Sequence, residues 1–241
     1  MSFGAISWPT IGIALSAGAI LLLRDWRLTV SALFLNYIFI VFFLTQQQFI
    51  QPDVTLLGLP ISMTVLVKLI TGIAATAILA ITALTFSREY NLEDLDEFSL
   101  SELRRAARRA QRQRAGDLLN LGDYVVPFWV LVLAALASLV LPRLYPIGRS
   151  YTVDFAWYWL GLTGLFTLIT ASDLLKIGLG LLLCASSIDL LYTALASRVQ
   201  LFPVALLSLV TIVLALVVAY LSGLLYGRLK TLDLGELYQG R

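Results

Sequence analysis

The chain has 241 residues, 59% of them hydrophobic and 13% charged, with a mean hydropathy of +0.88. Soluble domains are about 45–50% apolar and about 25% charged, so this composition excludes a soluble fold and points to an integral membrane protein. The net charge of +2 is too small to indicate a nucleic-acid partner, and none is expected. With no histidine and a single cysteine, the chain lacks the commonest catalytic base and metal ligand, any internal disulfide, and a thiolate metal site.

A bilayer core of about 30 Å takes about 20 apolar residues of helix. In chain order, segments 6–23, 28–50 and 60–86 meet that requirement. A polar stretch, 87–124, follows. Segments 125–141, 155–172, 175–197 and 201–227 then complete a predicted all-α bundle of about seven transmembrane helices. The opening "MSFGAISWPTIG" has no basic residue ahead of its apolar run, so it is not expected to act as a cleavable signal peptide. All seven prolines lie at or near segment ends, which predicts mostly unbroken helices.

Orientation follows from lysine and arginine. With the N-terminus outside and the C-terminus inside, thirteen of these residues fall on inner loops and the tail. Only Arg143, Arg149 and Arg198 fall outside. Trp8, Trp157, Tyr158, Trp159 and Tyr226 are expected in the interfacial aromatic belts.

The polar stretch opens acidic ("REYNLEDLDEF") and turns basic ("SELRRAARRAQRQR"). Ser99 and Glu102 fit a capping box. Leu100, Leu103, Ala106, Ala107 and Ala110 recur at helical spacing, with arginines on the remaining face. A short cytoplasmic amphipathic helix is expected here. Arg104, Arg105, Arg108, Arg109 and Arg112 could dock anionic lipid or an acidic soluble partner, or could simply enforce topology as a solvated connector. The chain thus divides into helices 1–3 (1–86), a charged linker (87–124) and helices 4–7 (125–241). "AGAILLLRDWRLTVSALFLNY" and "TGLFTLITASDLLKIGLGLLLCASS" share a helix–turn–helix layout. Spans 1–3 and 5–7 could therefore be two three-helix units with span 4 as their connector.

Lys68 and Asp189 are the only ionisable residues well inside the spans. Each costs about 2.5–3.5 kcal/mol at a helix centre on insertion scales, so neither is expected to face lipid unpaired. At about 1.5 Å rise per residue, both come out slightly to the outer side of the midplane, where they could face one another. Thr211 lies at a similar depth, with Ser186, Ser187 and Thr193 on nearby turns, and Asn36 could join the same polar interior. Two readings are open: a proton or cation path with Asp189 as carrier and Lys68 as counter-charge, or an ion pair that fixes helix packing. Gly161, Gly164, Gly178 and Gly180 read as close helix packing. No phosphate loop, partnered nucleophile or Cys/His constellation is present. No cofactor or metal is expected in this chain, and it is not expected to be an enzyme on its own.

The C-terminal third, 155–241, carries "LGLTGLFTLITASDLLKIGLGLLLCASSIDLLYTAL", a last apolar span and "GRLKTLDLGEL". It resembles the K subunit of bacterial complex I and the C subunit of Mrp-type cation/proton antiporters. Nearly the whole chain resembles component E of hydrogenase-4, a longer relative with seven predicted spans. Its third span carries a lysine in "ITKVLLVPL", as Lys68 sits in "MTVLVKLITGIAA", and its tail carries "TLD", as Thr231 to Asp233 does here.

The resemblance implies a membrane-arm subunit of a complex I-like or group-4 hydrogenase-like assembly in a bacterial or archaeal cytoplasmic membrane. The subunit would contribute to or brace a proton or sodium path. Expected partners are the lipid bilayer, antiporter-like membrane subunits and a soluble redox arm with iron–sulfur or nickel–iron subunits. The alternatives are an Mrp-type antiporter component, and a stand-alone seven-helix transporter or structural scaffold. K-type subunits carry glutamates that would align near Leu182 and between Val210 and Ile212. Neither acid is present here, and Asp189 lies two turns beyond the first position.

Overall fold

The computed structural model describes residues 7–23, 25–47, 54–56, 59–92, 121–148, 150–171, 173–196 and 200–229. Among these residues there are seven helices: α1 (Trp8–Leu22), α2 (Trp26–Gln46), α3 (Met63–Leu92), α4 (Leu121–Leu144), α5 (Tyr151–Ile169), α6 (Leu174–Leu195) and α7 (Leu201–Leu229). Two three-residue strands, β1 (Val54–Leu56) and β2 (Leu59–Ile61), pair antiparallel between α2 and α3. The amphipathic helix expected within 87–124, with its capping box and docking arginines, lies outside the described residues.

All helices except α1 are long and apolar enough to cross a membrane, which makes this a multi-pass membrane protein. The 15 residues of α1 span only about 22 Å at the usual rise. Capping residues account for several of the boundaries. Pro9 lies in the first turn of α1, where its missing N–H costs nothing. Asp25 accepts from the Arg27 amide at 3.0 Å to start α2, and Asp173 accepts from the Lys176 amide at 2.6 Å to start α6. Within the helices, Thr71, Thr76, Ser186 and Thr211 donate back to the carbonyl four residues earlier, so these hydroxyls are satisfied without water. The expectation of unbroken helices holds for α4, which runs past both ends of its apolar core and takes in Pro127 and Pro142 near its ends.

Consecutive helices pack together in two three-helix units, α1–α2–α3 and α5–α6–α7, which are joined closely to one another through α3 and α7. Equivalent helices meet across the interface: α1 packs on α5, α2 on α6 and α3 on α7. α4 lies to one side, against α5 and α1, and most of its surface is exposed.

Small residues let the helices approach closely. A Cβ on Gly164 would lie 2.9 Å from the Cys184 amide nitrogen and the Gly180 carbonyl oxygen, and one on Gly180 would lie 2.9 Å from the Gly164 carbonyl oxygen. At this crossing, α5 and α6 touch backbone to backbone. Gly72 on α3 plays a similar part for the Tyr37 ring on α2, and Gly178 on α6 for Val218 on α7.

Candidate functional site

Lys68 lies near the start of α3 and Asp189 near the end of α6. Their placement follows from the chain directions: α2 and α6 come to this level with their C-terminal halves, α3 and α7 with their N-terminal halves. Lys68 Nζ lies 2.9 Å from Asp189 Oδ2. The same ammonium donates to Thr193 Oγ1 at 2.8 Å, and Thr193 in turn donates to the Asp189 carbonyl at 2.8 Å. One turn of α6 thus presents a carboxylate and a hydroxyl to a single lysine. The Lys68 side chain is 4% exposed and that of Asp189 20%. An isolated charge at this depth would be costly, and the pairing is what offsets that cost.

Beside the pair is a cavity of about 20 Å³, room for about one water molecule. Tyr37 from α2, Thr71 from α3, Ser186 from α6, and Ser208 and Thr211 from α7 line it together with Lys68 and Asp189. Each of the four helices contributes positions three apart on one face: Tyr37 and Ile40, Lys68 and Thr71, Ser186 and Asp189, Ser208 and Thr211. The cavity therefore sits where the second and third helices of both units converge.

Of the residues singled out in the sequence, Lys68, Asp189, Ser186 and Thr211 come together here. Asn36 and Ser187 do not. Asn36 is fully buried on α2 and donates to Ser16 Oγ on α1 at 2.9 Å, joining the first two helices. Ser187 turns to α5 and donates to the Trp157 carbonyl at 2.7 Å. Arg104, Arg105, Arg108, Arg109 and Arg112 lie outside the described residues. Leu182, near which the resemblance would place an acid, is fully buried.

Sequence reasoning passed over Tyr37, Thr71 and Ser208. The repeated i, i+3 spacing of Lys68 with Thr71 and of Ser208 with Thr211 was the available signal. It also passed over Asp154, which is 1% exposed in the first turn of α5. Asp154 accepts from the amides of Gly148 (2.6 Å) and Ile147 (3.2 Å) and from Trp157 Nε1 (3.0 Å). It folds the α4–α5 connection back onto α5. Trp159, expected in an interfacial belt, is 6% exposed inside the bundle and stacks on Phe155. Trp8 is 56% exposed, as a belt residue would be.

Among the described residues, no three His, Cys, Asp or Glu side chains converge as metal ligands would. Chemically, the site offers a carboxylate, a group that can bind a proton, with its charge balanced by the Lys68 ammonium. Neither family models, nor curated proteins, nor solved structures give a match to this chain.

Proposed function

We propose that this chain is a non-catalytic membrane subunit of a complex I-like or group-4 hydrogenase-like redox complex, contributing to or bracing a proton or sodium path, with the Lys68–Asp189 pair as its candidate proton-exchange site. The observation that carries this reading is a buried ion pair placed against a polar, water-sized cavity at the interface of two helical units. When the pair opens, Asp189 takes up a proton; when Lys68 returns, the carboxylate releases it. The family resemblance supports the membrane-arm setting. So do the exposed apolar faces of α4 and α7, which suit lipid and neighbouring antiporter-like subunits. The chain runs N-out and C-in through a bacterial or archaeal cytoplasmic membrane, with α1 as a seventh, shallower span. The basic stretch within 87–124 meets anionic lipid or a soluble redox arm on the inner side.

The position of the pair between the two units also favours a second reading, a self-contained transporter, because carriers built from repeats place their sites between the repeats. Extraction in mild detergent tests both. Co-purification with antiporter-like and iron–sulfur or nickel–iron subunits supports the first reading. Antiporter-like subunits without redox partners would make the chain an Mrp-type component. An isolated chain that transports ions in vesicles would establish the second reading.

A further inference from the structure

Asp189 uses its two carboxylate oxygens differently. Oδ2 meets Lys68, whereas Oδ1 is buried and has no hydrogen-bond partner among the described residues. The Tyr37 hydroxyl is in the same condition: it faces Ser186 but makes no hydrogen bond of normal geometry, and Ser186 Oγ already donates to the Leu182 carbonyl. Both residues line the cavity beside the ion pair. One is an unused donor, the other an unused acceptor. Buried polar groups of this kind are nearly always satisfied, by protein or by ordered water.

We propose that the cavity is a binding site for one water molecule, which accepts from the Tyr37 hydroxyl and donates to Asp189 Oδ1. Its second hydrogen is directed to a hydroxyl on α7, Ser208 or Thr211, both of which line the cavity. The volume fits: about 20 Å³ exceeds the roughly 10–15 Å³ that one water needs, and two to four polar partners are within the lining. Charge selects water over a metal cation. The Lys68 ammonium already balances Asp189 at 2.9 Å, so a sodium ion here would meet a like charge.

Tyr37 is then a positioning residue for Asp189. It fixes the water through which the free carboxylate oxygen is hydrogen-bonded, and it joins α2 to the pair formed by α3 and α6. The role of this water in proton movement rests on the reading proposed above, but its presence does not.

Infrared difference spectra of the membrane complex as extracted, recorded in a lipid film across a pH jump, test the site. The Asp189 carboxyl band is identified by its loss in Asp189→Asn. In the unmodified protein, exchange into ¹⁸O-water should shift the O–H stretch of one isolated water. Tyr37→Phe should abolish that water band and shift the Asp189 band while leaving the amide bands unchanged. No isolated water band in the unmodified protein overturns the proposal, whether or not the variant folds. So does an Asp189 band that responds to sodium replacing choline, which would make the occupant a cation. A water band alongside full ion pumping by Asp189→Asn would leave the water site standing and remove the proton path. Lost pumping without a water band would do the reverse.

Discussion

Removing one partner of the Lys68–Asp189 pair should be worse than removing both. In Asp189→Leu, the ammonium of Lys68, 4% exposed, keeps only Thr193 Oγ1 as a partner. Breaking a fully buried pair costs about 3–5 kcal/mol. Asp189 is one-fifth exposed, and an orphaned lysine can shed its proton, so about 2–3 kcal/mol is the expectation. Lys68→Met leaves a carboxylate with both oxygens unpartnered by protein, at about 1–3 kcal/mol. The double variant Lys68→Met/Asp189→Leu removes both charges and fills the space with apolar groups, a change that is often close to neutral. With the double variant close to neutral, the expected coupling is therefore about 3–6 kcal/mol. That is well above the roughly 0.6 kcal/mol average for hydrogen bonds between membrane helices. Thermal unfolding in detergent reads it out: at about 2–4 °C per kcal/mol for a chain near this size, each single variant falls well below the double. Losses that add within about 0.5 kcal/mol would show that the two side chains do not meet.

Three further outcomes follow from the packing. Gly164→Ala places a methyl against the Cys184 amide nitrogen and the Gly180 carbonyl, neither of which can rotate away, so about 1–3 kcal/mol of overpacking is expected in the same melt. Unchanged stability would mean that α5 and α6 are further apart. Asp154→Ala removes three hydrogen bonds to a buried carboxylate and should cost about 2–3 kcal/mol, together with faster proteolysis between α4 and α5. Wild-type protease resistance would contradict that role. Asn36→Leu loses the bond to Ser16 but also removes a buried amide oxygen that has no partner, so its melting point should move by less than the equivalent of about 1 kcal/mol. Ion transport should persist in this variant, since Asn36 does not line the cavity.

The helices were legible because membrane spans have a length requirement that composition alone reveals. Each of the seven apolar segments overlaps one observed helix, and the onset expected at residue 201 for the last coincides with Leu201. Depth was legible for the same reason: counting residues along two helices brought Lys68 and Asp189 to one level. Facing was harder, because consecutive residues of a helix point about 100° apart. Ser186 and Ser187 stood together in the sequence reading, yet one borders the cavity and the other bonds α5. Tyr37 was invisible because an aromatic residue in an apolar run reads as packing, and only the unused hydroxyl sets it apart. Trp159 misled in the opposite sense: an aromatic cluster at a span's start resembles a belt, but α5 is covered by α1, α4 and α6. In the two stretches that share a helix–turn–helix layout in the sequence, Asp25 and Asp173 each cap the second helix.

The most direct test of the central claim is ion pumping by the intact complex in sealed vesicles with Asp189→Asn, after confirming that the variant assembles and that its partners keep their redox or exchange activity. If Asp189 carries protons, pumping is lost while partner activity persists. If pumping is undiminished, the Lys68–Asp189 pair holds the bundle together and no ion passes through it.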